Sequence, residues 1–476
     1  MLLSTKEVSN SLPDGPQGTG LLQTLQMISQ PIQFLENCAR SYGDRFTLKV
    51  LGVNSPPVVF LSHPAAIEAI FTTEAQAFEL GKITHVFQPL TGVQSLIMQE
   101  GKRHQRLRQL LMPPLHGKRL PTYGNLIQEI TIQATGNWSV GTLLSIREAV
   151  AEIVLDVILR VVLGLHPNAR YTQLKTLIKP YLEQVNAPLY SIQFFWPLLQ
   201  QNLGTWSPWG QFLHQRQQID RLIYDEIAER RGQPGGEDVL SLLISAKDEQ
   251  GNGLSDEELH DQLITLLLLG YDTTASALSW AFYWIHKYPQ VSQRLLQEIH
   301  NLGENPEPIA LTQLPYLTAV CQETLRIHPI ALISQPRVVQ KTVEIESYQY
   351  QPGTILVPCI HLAHHRSQVY PQPQQFQPER FLNHKFSPYE YFPFGGGSRS
   401  CIGMALSLFE MKLILATILS RFQLELIEEK SVKAVRRGIT IVPADTFKLQ
   451  IKDIALGFPF AKGDGRGSRR GNKGKI

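Results

Sequence analysis

Residues 392–413 read FPFGGGSRSCIGMALSLFEMKL, and Cys401 inside them is one of only four cysteines in 476 residues. A cysteine set between a Gly-rich turn and a helix can be an apolar filler, half of a disulfide, a nucleophile or a metal ligand. The remaining cysteines, Cys38, Cys321 and Cys359, lie far away in sequence. They form no CxxC pair and no regular spacing, which argues against a zinc module or a disulfide scaffold and fits a reducing compartment.

The composition is that of an ordinary globular protein, 43% hydrophobic and 18% charged. A net charge of +3 gives no bulk electrostatic case for nucleic-acid binding. The N-terminal MLLSTKEVSNSLPDGPQG carries no apolar core of signal-peptide length. The longest apolar run, LITLLLLGY, stops well short of a membrane span. A soluble, cytoplasmic protein is expected; a peripheral membrane contact is left open by the composition.

Along the chain, residues 1–12 read as a leader and 13–455 as one large domain, mainly α with a minor β portion. RFTLKVLG and PPVVFLSHP alternate apolar and polar residues, as strands of a small sheet do. From about Pro64 to Arg326 the period is helical, with Pro and Gly as punctuation. VEIESYQYQPGTILVPCI reads as a hairpin, YPQPQQFQPERF as a meander, and Ile402–Leu419 as a helix before closing strands. Residues 456–476 form a basic Gly-rich tail of the kind that stays disordered.

The segment LSDEELHDQLITLLLLGYDTTASALSWAFYWIHKYP has the sharpest helix signals. Ser255 and Glu258 make a capping box and Pro289 stops the element. Its length of about 33 residues corresponds to roughly 50 Å, enough to cross the domain. Its middle is apolar almost all round, yet Gly270, Asp272, Thr273 and Thr274 sit there. A buried Asp is costly unless paired, and a Thr that bonds back one turn can open a bulge. Two readings follow: a satisfied Asp on a solvent-facing edge beside a harmless Gly kink, or a groove where an acid and an alcohol face a buried ligand.

Three polar groupings remain. Glu323 and Arg326 of ETLR stand at i,i+3 on an otherwise apolar helix, and an inward pair needs a further partner, for which Arg380 of QPERF is the candidate. EGKRHQRLRQLL sets His104 and Arg108 at i,i+4, with Lys102, Arg103 and Arg106 on other faces; a solvated basic face and an anion-binding face are the two readings. HLAHH (His361, His364, His365) lacks a carboxylate or Cys at ligand spacing and is a weak metal candidate.

Taken together, the chain resembles the cytochrome P-450 superfamily. FGGGSRSCIG matches the haem-thiolate signature FxxGxRxCxG at Phe394, Gly397, Arg399, Cys401 and Gly403. ETLR matches ExxR, QPERF the meander motif and LGYDTT the oxygen-activation motif, in the family's order from about Pro13 to Lys452. RHQRLRQLLMPPLHG and FSPYEYFPFGGG bring it nearest a cyanobacterial group associated with long-chain fatty acids and terpenoids. The resemblance implies a cytochrome P-450 fold with a long central helix over the haem. Cys401 would be the axial thiolate and metal ligand of a non-covalent heme b, since no CxxCH is present. Gly397 and Gly403 would allow close backbone approach, and Phe394 would shield the sulfur. His104, Arg108, Arg337 and Arg399 correspond to propionate-binding positions. Asp272 and Thr273 match the acid–alcohol pair that delivers protons, and Gly270 would leave room for oxygen. Leu269 departs from the usual small residue there. Glu323, Arg326 and Arg380 would be structural.

The implied activity is a monooxygenase acting on an apolar substrate, a fatty acid or a terpenoid, with O2. Electrons would come from a separate ferredoxin or flavodoxin docking near Cys401, with Lys102, Arg103 and Arg106 adding positive charge. The protein would act as a monomer, with no nucleic acid and no transmembrane segment. Pocket lining is expected from residues 79–98 and 187–209. A peroxide-using enzyme and a haem-based sensor or carrier are the rival readings; the Asp272–Thr273 pair speaks against both.

Overall fold

The computed structural model describes residues 12–454 except 74–76, 188–189, 191–192, 195–196, 234, 304–305, 428–431 and 445–446. The leader up to residue 11 and the basic tail lie outside the described residues.

The long helix runs from Asp256 to Lys287. Ser255 accepts from the Glu258 N–H while Glu258 accepts from the Ser255 N–H, each at 3.1 Å, and three acids occupy the positive first turn. The helix continues unbroken through Gly270–Thr274, so the expected bulge is absent. Thr273 does bond back, its hydroxyl donating to the Leu269 carbonyl at 2.5 Å, and the helical assignment runs on through it.

Between Leu259 and Ile285 every residue is buried except Leu266, Leu269, Gly270 and Thr273. These lie at i, i+3, i+4 and i+7, one stripe of a helix. An otherwise enclosed helix is therefore partly accessible along one short stripe. The first turns of Met404–Arg421 approach this region, and the Thr274 and Ser407 hydroxyls meet at 3.2 Å.

The main sheet has five strands in the order Arg45–Leu48, Val58–Leu61, Ile355–Pro358, Arg337–Val339 and Phe78–Glu79. Only the pairing of Val58–Leu61 with Ile355–Pro358 is parallel. The expected hairpin proves narrower than VEIESYQYQPGTILVPCI: Val343–Ile345 pairs with Tyr348–Tyr350, and Ile355–Pro358 leaves to join the main sheet. Glu346 makes the turn at φ 57°, between the two strands. The helix after Cys401 spans Met404–Arg421, two residues later than the spacing predicts.

Glu323 and Arg326 are fully buried, and Arg326 forks onto both Glu323 oxygens at 2.6 and 2.9 Å. The guanidinium also donates to the His364 and Gln375 carbonyls, and Arg380 approaches Glu323 at 3.4 Å as expected. His364 in turn accepts from the Phe392 N–H at 3.0 Å. The buried pair thus anchors the chain entering the Cys401 turn. His361 faces Glu36, and no group of three or more His, Cys, Asp or Glu placed to hold a metal occurs among the described residues.

Candidate functional site

The turn before Cys401 is set by backbone. The Cys401 N–H donates to the Phe394 carbonyl at 2.9 Å, and the Phe394 ring packs half-buried against the main core. Gly397 has φ +65°, and a Cβ there would come 2.8 Å from the Phe71 carbonyl oxygen, so only glycine lets the turn lie against the C-terminal end of the helix Pro64–Thr72. Gly403 differs: a Cβ would stand 4.0 Å from the Cys401 sulfur, an ordinary contact. The protein's own atoms do not demand glycine at 403.

Cys401 is the one cysteine of the four that is not buried. Its thiol is nevertheless pushed up by surrounding protein, against the lowering effect of the Gly403 and Met404 N–H groups and Arg108. Both facts hold together if the sulfur lies at the floor of a recess rather than on the outer surface. The helix start alone does not hold a thiolate there; a cation bound to the sulfur would.

Above this floor four basic side chains converge. His104 is buried and driven down to about 4, first by burial and then by Arg399, Arg108 and Arg337. Arg337 is lowered to about 10 by burial and Arg399. Arg399 is lowered to about 10 by burial and Arg108, with Glu100 opposing. Their hydrogen bonds go to neutral oxygens: Arg108 to Ser400 O and Oγ at 2.8 Å each, Arg399 to Gln99 O at 2.7 Å, Arg337 to Gln335 O at 2.7 Å. Among the described residues none of these three guanidiniums has a carboxylate at ion-pair distance. Buried like charges without a counter-charge are unfavourable, so the cluster is built for an anion of more than one charge.

The long helix divides the expected acid–alcohol pair between two faces. Thr273 lies on the partly open stripe, whereas Asp272 is 2% exposed. Arg147 Nη2 donates to Asp272 Oδ1 at 2.8 Å and Thr440 Oγ1 to Oδ2 at 2.6 Å; Arg437 Nε stands 3.3 Å from Oδ1. Arg437 also pairs with Glu183, which accepts from the Tyr271 hydroxyl at 2.8 Å. Burial raises the Glu183 carboxyl, but Arg437 and Tyr271 outweigh it and hold it low. A buried Asp announces that a partner exists; Arg147, Arg437 and Thr440 come from distant segments that no spacing in the sequence connects to it.

Two further expectations change. A Cβ on Gly270 would stand 3.3 Å from Ile158 Cδ1, so part of the room at Gly270 serves packing against that residue. Arg106 is not available to a docking partner, because it is bound to Asp248 at 2.6 Å and Glu258 at 3.2 Å. Arg103 likewise reaches Gln94 and stands 3.6 Å from Glu258.

A recessed cysteine, N–H groups aimed at its sulfur and a multivalent basic cluster define a pocket for an anionic metal-bearing cofactor. A sequence model described as cytochrome P450 matches residues 13–451, and the chain belongs to the cytochrome P450 family. It is 33% identical over 447 residues to "Putative cytochrome P450 135B1" of Mycobacterium tuberculosis (strain ATCC 25618 / H37Rv), covering 93% of this chain and 92% of that one. It is 30% identical to "Putative cytochrome P450 138" of the same strain, covering 91% and 95%. The solved structure "Retinoic acid bound cyanobacterial CYP120A1" superposes with TM-score 0.79 at 25% identity, covering 93% of this chain and 99% of that one. The "cytochrome P450DA heme domain" shares the fold, with TM-score 0.81 at 20% identity and coverage of 94% and 98%. The protein is thus a haem-dependent monooxygenase of this family, and the basic cluster and Cys401 fit the two propionates and the iron of that cofactor.

Proposed function

We propose that Cys401 is the axial thiolate ligand of heme b, that His104, Arg108, Arg337 and Arg399 hold its propionates, and that the substrate is a fatty acid or terpenoid. The observation that carries the reading is the basic cluster, which finds no counter-charge of its own beside the recessed sulfur. The bound haem supplies dioxygen activation and transfer of one oxygen atom into a C–H bond.

The protein's own part is positioning, exclusion of water and proton movement. Phe394 fixes the cysteine through its carbonyl and packs its ring beside the turn. Leu266 and Leu269 give the cavity wall an apolar surface suited to a hydrocarbon. Thr273, on the same stripe, holds its proton toward the Leu269 carbonyl; rotation about χ1 would turn the hydroxyl into the cavity. Asp272 would act behind it, taking up a proton by way of the Thr440 hydroxyl while Arg147 and Arg437 hold it in place. Its carboxylate must loosen from those partners before it moves a proton, which makes delivery a gated step. The position of Thr273 favours turnover driven by a separate electron donor over direct use of peroxide. Ferredoxin or flavodoxin is the donor class we favour, approaching the Cys401 side, with Lys102 contributing charge.

The apolar substrate reading is supported by the lining and by retinoic acid, an apolar carboxylate, in the structure of that similar cyanobacterial protein. A ligand screen by Soret shift tests it. Fatty acids or terpenoids should shift the band at micromolar concentration, and Cys401→Ala should abolish the thiolate-type reduced–CO spectrum. A thiolate-type spectrum in Cys401→Ala would overturn the assignment.

A further inference from the structure

Residues 89–96 cross the long helix just before its accessible stripe, and polar bonds fasten them there. The Gln94 N–H donates to Asp261 Oδ2 at 2.8 Å, the Leu96 N–H to Gln262 Oε1 at 2.8 Å, and Gln262 Nε2 returns to the Gln94 carbonyl at 2.7 Å. The buried Ser95 and Thr265 hydroxyls meet at 2.8 Å, one residue before Leu266 of the stripe. Further along, the Gln99 carbonyl accepts from Arg399 of the basic cluster at 2.7 Å. The segment thus runs from the long helix to the proposed cofactor pocket.

A third element is tied in from outside. On the helix Pro208–Gly232, Arg216 is 8% exposed and donates to the Pro89 carbonyl at 3.2 Å and to the Leu90 carbonyl, while its Nε holds Asp220 at 2.5 Å. Between this helix and the long one sits His260, 4% exposed. Its Nε2 lies 2.9 Å from Asp220 Oδ1 and its Nδ1 2.9 Å from Asp261 Oδ1. The same Asp261 carboxylate holds the Gln94 N–H through its other oxygen. A Cβ at Gly92 would overlap that carboxylate, so the close approach requires glycine there.

Two carboxylates on one imidazole fix its charge. A carboxylate only accepts, so both ring nitrogens carry hydrogen and His260 is an imidazolium. Charge balance agrees: Asp220 and Asp261 are two anions, Arg216 is one cation, and the ring supplies the other. Tyr224 stacks on the ring with centroids 4.4 Å apart. The other charged or titratable groups facing the cluster are Glu257 of the long helix, Arg103 beside Gln94 and Tyr181 beside Arg216. We infer that His260 is a positioning residue: as a cation it clamps residues 89–96 and the helix Pro208–Gly232 onto the long helix, and loss of its proton loosens them and opens the pocket. This role rests on residues 79–98 lining the pocket, whichever apolar substrate fills it. A neutral ring keeps one N–H and turns a lone pair toward the other carboxylate, so one of the two contacts breaks. Burial opposes the cation, but the two aspartates outweigh it and hold the imidazolium above the ordinary histidine value. The clamp is therefore fully formed below about pH 6.5 and is lost as pH rises through the raised value.

The test is hydrogen exchange of the full-length holoprotein, read by mass spectrometry on a peptide covering 89–100 and corrected for the intrinsic effect of pH. Between pH 6 and 9 protection of this peptide should fall about tenfold or more, as for the loss of one charge-assisted hydrogen bond. A peptide from the helix Met404–Arg421 should keep its protection. His260→Gln should show the low protection already at pH 6, with no further step. Asp220→Asn leaves the ring one carboxylate and should move the step to lower pH. An unchanged reduced–CO spectrum would show that both variants hold their haem. Exchange needs no substrate, so its outcome is independent of the substrate class. Protection of 89–100 that does not change with pH in the unmodified protein, or a step that persists in His260→Gln, would overturn the assignment of His260.

Discussion

Arg147 and Asp272 meet at 2.8 Å in the protein interior, both nearly inaccessible, and Thr440 closes the second carboxylate oxygen at 2.6 Å. The helix that lines the proposed oxygen-binding space is thereby pinned from behind to the C-terminal hairpin. The carboxylate holds the fold, and the proton delivery proposed for it can be separated from that duty by measurement.

Asp272→Asn keeps the shape but leaves Arg147 and Arg437 without their shared anion. A loss of about 3–5 kcal/mol is expected from unpairing buried charge, read by denaturant unfolding of the holoprotein. Replacing Asp272 and Arg147 together by apolar residues of similar size should recover much of that stability while leaving electron use uncoupled from product. Full recovery of coupling in the double variant would remove Asp272 from the proton path.

Glu410 is buried, its Oε1 has no hydrogen-bond partner, and burial pushes its carboxyl up to about 8. In the unfolded chain it ionises near the usual glutamate value of about 4.3. Between these values the folded state holds a proton that the unfolded state has lost. Its contribution is fully present below about pH 4.3 and is lost as pH rises toward 8, with a slope of about 1.4 kcal/mol per pH unit. Glu410→Gln should flatten that slope in unfolding measured from pH 5 to 8, and an unchanged slope would show that Glu410 titrates normally.

Arg399→Met removes one member of the basic cluster. Haem transfer to a competing apoprotein should run about 10–100-fold faster, the equivalent of one charge-assisted hydrogen bond. Arg399→Lys should fall between, because it restores charge without the fork.

Leu269→Ala opens the partly exposed stripe of the long helix. Bulkier terpenoids should bind several-fold more tightly by Soret titration, and short-chain ligands more weakly. A cost of about 1–2 kcal/mol in stability is expected, below that of a fully enclosed leucine because the side chain already faces open space. Equal affinities for all ligands would mean that the Leu269 side chain does not face the substrate.

Much of this was legible without coordinates because it depends on local order. The Ser255–Glu258 box, the stop at Pro289 and the glycines before Cys401 act over a few residues, where spacing is geometry. The Glu323–Arg326 pair was legible for the same reason, being one turn apart. The Thr273 back-bond is formed without interrupting the helix, because packing on almost every side holds its turns together. Of the basic residues expected to greet a redox protein, Arg106 is taken up within the fold, because Asp248 and Glu258 arrive from segments far along the chain.

By itself, the sequence determined the family and the cofactor class and singled out Cys401 for the proposed ligand, since a signature of fixed spacing encodes a turn and a helix start. Only the tertiary structure decided which way side chains face. It set Thr273 on the open stripe and Asp272 behind it, gathered His104, Arg108, Arg337 and Arg399 from three separate segments, and turned the leucines of Gly20–Ser29 outward. Those outcomes depend on where distant segments dock, and burial free energy is settled by the whole fold rather than by neighbours along the chain.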